Sequence, residues 1–117
     1  MTGGRTKETF SDRTTAVVIK NIEKGDIGIE QAAKALGISR THLQRKLSKE
    51  GTSYQELTDR VRYDLACRYL NDTEMPLTSI SSILCYSELA AFSRAFKRKS
   101  GMSPSVWRSS NEKQAHL

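Results

Sequence analysis

The chain has 117 residues, of which 37% are hydrophobic and 27% charged, with 19 Lys and Arg against 13 Asp and Glu for a net charge of +6. That length suits one small domain rather than a catalytic domain with a regulatory one beside it, and the charge makes a polyanion the leading partner. No apolar run approaches the ~20 residues of a membrane span and no secretory signal opens the chain, so a cytoplasmic protein without a membrane partner is expected.

The first residues, "MTGGRTKETF", carry no apolar period, and 1–11 read as a linker or tag remnant without order. From Ser11 onward the period is helical, and the expected fold is all-α, with about seven helices. Asp12 is placed to cap a first helix whose apolar face is Ala16, Val18, Ile19 and Ile22, with Gly25 after it. A second helix starts near Ile29 and ends at Gly37, and Ser39 caps a third, "RTHLQRKLSKE", that stops at Gly51. Two short helices around a glycine turn form a helix-turn-helix pattern over 12–52.

Ser53 and Glu56 then stand in capping-box spacing before the longest helix, 53–72, with the stripe Tyr54, Leu57, Val61, Leu65 and Tyr69. Asp59, Arg60, Arg62 and Asp64 fall outside that stripe, toward solvent or ion pairs along the helix. Pro76 introduces a fifth helix, "LTSISSIL", with Ile80, Ile83 and Leu84 as apolar positions, and a sixth begins at Ser87. Ser103 and Pro104 start a last short helix that Trp107 packs inward, closing a second helix-turn-helix subdomain over 73–110, and 111–117 should fray.

The chain repeats itself. "LQRKLSK" from Leu43 lies over "FSRAFKR" from Phe92, so Leu43 matches Phe92, Arg45 matches Arg94 and Leu47 matches Phe96. In both, an apolar pair at i, i+4 seats the helix while cations occupy the outer face. Two such helices in successive major grooves of one DNA face must sit about 34 Å apart, and a rigid connector of roughly 28 Å, plus the width of the elements it joins, can hold them near that distance. Cys67 and Cys85 have no C-x-x-C spacing and read as free thiols. His42 and His116 are too far apart in sequence for a metal site with them, and there is no Gly-rich phosphate loop, H-E-x-x-H or G-x-S-x-G, so no enzyme, cofactor or metal is expected.

The run "FSRAFKRKSGMSPSVWR", with Phe92, Arg94, Phe96, Lys97, Gly101, Ser103, Pro104, Trp107 and Arg108 in place, resembles the second-motif signature of the DNA-binding domain of AraC/XylS-type transcription regulators. "ALGISRTHLQRKL" and the Arg62, Ala66, Leu70 spacing are consistent with that family, and the resemblance covers about 14–108. It implies a monomeric bipartite reader of double-stranded DNA that contacts RNA polymerase at a promoter, excised from a regulator that dimerises through an N-terminal domain. It also implies that the first recognition helix presents Ser39, Arg40, Thr41, His42, Gln44, Arg45 and Lys49 to DNA, with Arg45 foremost. The second presents Ser87, Glu88, Leu89, Ala90, Ser93, Arg94, Lys97 and Arg98.

Two departures from the signature matter. Cys85 stands where the family commonly has a turn glycine, and Leu89 and Ala90 cannot donate base-specific hydrogen bonds. The expectation is therefore strict base preference at the first half-site and tolerance at the second. A Fis-like dimeric module, similar to "IEQAAKALGISRTHLQRKLSKEG", and a basic helical adaptor for RNA or protein are the alternatives.

Overall fold

The computed structural model describes residues 7–115, which form seven helices and no strand among them. The chain divides into two compact units, with the division after Asp59, and each has its own core.

In the first unit, α1 (Phe10–Glu23), α2 (Ile29–Leu36) and α3 (Arg40–Lys49) enclose Ala32, Ala33, Leu43 and Leu47, joined by Leu57 from the start of α4 (Tyr54–Asp72). The helix α1 starts earlier than expected. Thr9 is its cap, the Thr9 hydroxyl accepts from the Asp12 amide, and the Asp12 carboxylate accepts from the Thr9 amide in return. Phe10 and Ser11 thus belong to a helix rather than to a linker, and Phe10 packs on the core. Residues 1–6 lie outside the described residues.

The buried face of α1 is Thr14, Val18 and Ile22, with Asn21 beside it, whereas Ala16 and Ile19 face solvent. Thr14 takes the inward place because its hydroxyl donates to the Phe10 carbonyl at 2.9 Å, which leaves only its methyl to the core. Ser39 caps α3 as expected, accepting from the His42 amide at 3.1 Å. Between α2 and α3 the chain turns at Gly37, φ 71°, where the Gly37 amide donates to Lys34 and the Ile38 amide to Ala33.

The second unit contains the rest of α4 with α5 (Leu77–Ile83), α6 (Leu89–Ser100) and α7 (Pro104–Ala115) around Ala66, Leu70, Ile80, Leu84, Phe92 and Phe96. Its turn repeats the first in hydrogen bonding: the Cys85 amide donates to Ser82 and the Tyr86 amide to Ser81, both at 3.0 Å. Cys85 therefore occupies the left-handed place of Gly37, at φ 68°, the one non-glycine residue with positive φ among the described residues. A side chain there costs about 1 to 2 kcal/mol.

Other expectations shift in this unit. Ile83 is exposed while Ile80, Ser81 and Leu84 are buried, and α6 begins at Leu89 rather than Ser87, after an extended Glu88. On α4 the buried positions are Leu57, Thr58, Val61, Ala66 and Leu70, with Leu65 and Tyr69 only half-buried, because the helix serves a different core at each end. Nor does the chain fray at 111. The helix α7 runs on to Ala115, and Asn111 donates to the Asn71 side chain at 2.7 Å. His116 and Leu117 lie outside the described residues.

Both thiols are half-buried. Cys67 packs beside the second core, where burial pushes its thiol above the ordinary value despite a hydrogen bond with Tyr63.

Candidate nucleic-acid interface

Each recognition helix has a seated back and a cationic front. On α3, Leu43 and Leu47 are wholly buried, while Ser39, Arg40, Thr41, His42, Gln44, Arg45 and Lys49 are exposed. The Ser39 oxygen accepts the cap bond, which leaves its O–H to donate to a phosphate oxygen. On α6, Phe92 and Phe96 replace the two leucines in the core. Leu89, Ala90, Arg94, Lys97 and Arg98 are exposed on that helix, Ser87 and Glu88 are exposed just before it, and Ser93 is half-buried. The four-residue spacing puts the anchors on one side and leaves the opposite side to the cations.

Two cations on these helices lean on aromatic rings. Lys46 is half-buried with its ammonium 4.9 Å from the Phe10 ring centroid, and Lys99 lies 5.6 Å from that of Tyr63. Lys46 is thereby drawn from the outer face, while Lys99 stays exposed. Arg94 faces Glu88 at 4.0 Å, and both side chains remain mostly in solvent, so the pair orders the guanidinium only weakly.

Three residues take roles that the sequence pattern did not give them. Glu50, at the end of α3, accepts from the Phe10 and Ser11 amides at 3.1 and 3.0 Å and from the Ser11 hydroxyl. It serves as a second acceptor for the orphan amides of α1, so the back of the recognition helix is tied to the neighbouring helix by Lys46 and Glu50, one turn apart. Arg62, expected toward solvent, is half-buried with its guanidinium 4.1 Å from the Tyr86 ring centroid. Arg108 donates to the carbonyls of Tyr69, Leu70, Thr73 and Met75.

The Glu50 contacts have a pH signature. Hydrogen bonds from Ser11, first its hydroxyl and then its amide, hold the carboxyl below its ordinary 4.5. A depressed folded value means the stabilisation is full above about pH 4.5 and is lost as pH falls through the folded value. Melting curves from about pH 7 to about pH 3 should therefore show the wild-type chain losing its advantage over Glu50→Gln at the acidic end.

The geometry places the chain among known proteins. Over 80 residues it is 42% identical to the ornithine utilization regulator of Pseudomonas aeruginosa, covering 68% of this chain and 24% of that protein. The chain thus spans about a quarter of the length of the curated relatives it matches. The crystal structure of a DNA-binding transcriptional dual regulator from Escherichia coli K-12 superposes with a TM-score of 0.86 at 21% identity, over 95% of this chain and 99% of that one. The C-terminal domain of AraT, a response regulator from Geobacillus stearothermophilus, gives 0.79 at 28% identity, over 90% and 88%. The family model described as a helix-turn-helix domain matches residues 32–110, more than half of the sequence, and the chain belongs to the AraC-type family of such domains.

Proposed function

We propose that the chain reads double-stranded DNA by sequence and regulates transcription at a promoter, with α3 and α6 entering successive major grooves. The observation that carries this is the repeated build: Leu43 and Leu47, then Phe92 and Phe96, sink into separate cores and leave an exposed cationic face each time. In this reading 12–52 and 73–110 are the two reading subdomains and 53–72 is their connector. It is a binding module of the cytoplasm rather than an enzyme. No helix among the described residues is long and apolar enough to cross a membrane.

On α3, Arg40, Gln44 and Arg45 are the base readers, because Arg pairs with guanine and Gln with adenine through two hydrogen bonds. Ser39, Thr41, His42 and Lys49 hold phosphate. On α6, Ser93, Arg94, Lys97 and Arg98 grip the backbone, while Ser87, Glu88, Leu89 and Ala90 meet the groove, the last two offering only apolar contact to thymine methyls. RNA polymerase is the further partner of this reading, in keeping with relatives named as transcriptional regulators. The chain by itself acts as a monomer, with dimerisation left to the parent regulator.

The test is selection of bound sites from random duplex DNA, repeated with Arg45→Ala. Loss at one base position of the first half-site, about 10- to 100-fold, fits a bidentate contact of about 1 to 3 kcal/mol. Weakening spread evenly over all sequences would make Arg45 a phosphate contact instead. A chain that prefers structured RNA to duplex DNA in competition would overturn the whole reading.

A further inference from the structure

We infer that Arg62 is a positioning residue for the second recognition helix: its guanidinium, laid on the Tyr86 ring, clamps the turn from which α6 departs. The inference rests on the proposed reading of DNA by α6.

Arg62, Ala66 and Leu70 follow one another at four-residue spacing along α4, and the last two are buried in the second core. Arg62 thus continues a core stripe with a cation. Its Nε is buried and has no hydrogen-bond partner, a costly state for a guanidinium, and a methionine or leucine would fill the same place without it. What the arginine gains there is the face of Tyr86, 4.1 Å from its central carbon. A cation over the ring suits that contact better than any apolar side chain.

Tyr86 is the residue through which such a contact would reach α6. It directly follows Cys85, whose left-handed backbone is strained for a residue with a side chain, and its amide closes the turn onto Ser81. Its ring lies 5.5 Å from that of Phe92, the first buried anchor of α6. Holding the Tyr86 ring therefore holds both the turn and the start of the helix, where Leu89 and Ala90 are exposed.

The first unit supplies the comparison. Its matching turn has Gly37 in the left-handed place and Ile38 in that of Tyr86, with the same pair of amide bonds. Gly37 is at ease at positive φ, and Ile38 packs beside the core as an aliphatic residue. An aromatic ring under a cation occurs at the turn whose glycine is replaced.

Two measurements on the whole chain test this. The first is amide hydrogen exchange of the free protein in Arg62→Met, Arg62→Lys and Tyr86→Leu. Arg62→Met and Tyr86→Leu should each speed exchange at Tyr86 and Phe92 by about 10-fold or more relative to the amides of α5 and α7, and Arg62→Lys should restore most of the protection. The second is binding to the duplex recovered by site selection and to the same duplex with its second half scrambled. Arg62→Met should shrink the wild-type preference for the intact duplex by about 10-fold and leave binding to the first half-site unchanged.

Equal speeding across α5, α6 and α7, or an Arg62→Lys as unprotected as Arg62→Met, would overturn the clamp and leave Arg62 a general packing residue. If the wild-type chain gains nothing from the second half-site, it is the reading of DNA by α6 that fails. The exchange pattern then still decides the clamp.

Discussion

Alanine in place of Phe96 should destabilise the second unit by about 3 to 5 kcal/mol. Phe96 is 2% exposed and sits where three helices meet. The Tyr63 ring of α4 stacks on it at 5.2 Å with 28° between planes, Trp107 of α7 meets it edge-on at 5.6 Å and 84°, and Phe92 of its own helix lies 6.0 Å away. Both geometries suit ring quadrupoles and add to the burial itself. Truncation leaves a void bounded by side chains from three helices, which cannot all close on it at once. Trp107, the only tryptophan of the chain, makes urea unfolding easy to follow by fluorescence. A loss below about 1 kcal/mol would mean that the cluster rearranges freely around the gap, against the close packing that its ring geometry implies.

The same cluster shows what the sequence could reveal. Phe92 and Phe96 were legible as anchors because four-residue spacing leaves a helix little choice about which side is buried, and the repeat of Leu43 and Leu47 in the first unit fixed the register twice over. Gly37 and Ser39 were legible as local chemistry, a left-handed stop followed by a hydroxyl cap. The misread positions are those where tertiary context overrides composition. Thr14 displaced Ile19 from the core side of α1 because its hydroxyl is satisfied within its own helix. Ile83 lost to Ser81 on α5, where a small side chain fits the inner face and the larger one is left outside.

Long-range polar contacts were beyond the pattern altogether. Glu50 reaches Phe10 and Ser11 across 40 and 39 residues, and Arg108 reaches Leu70 across 38. No local period encodes such a partner. A charged residue read as solvent-facing is the natural error, and Arg62 shows that it also misplaces residues which lie on a core stripe.

Arg108 leads to the second large effect, because it ties the end of α4 to the loop that follows it. The last carbonyls of a helix lack a full set of partners within it; here the Tyr69 carbonyl accepts from the Thr73 amide and hydroxyl, and a guanidinium arriving from α7 joins it, Leu70 and the loop carbonyls of Thr73 and Met75. Nε donates to Leu70 at 3.2 Å, Nη1 to Met75 at 2.9 Å, and Nη2 is shared between Tyr69 at 3.4 Å and Thr73 at 3.3 Å. A rigid fork with five donors can satisfy that set, and an ammonium group cannot span it. Arg108→Ala should therefore cost about 2 to 4 kcal/mol: charged hydrogen bonds are worth more than neutral ones, but the half-buried site lets some carbonyls regain water. Arg108→Lys should recover less than half of the loss, and amide exchange in α5, which follows the bridged loop, should quicken in both variants. The measurement also separates two roles for the arginine that closes the family signature. A phosphate contact would lower the salt dependence of DNA binding without unfolding anything, whereas the closure seen here predicts an unchanged salt slope wherever the variant is still folded.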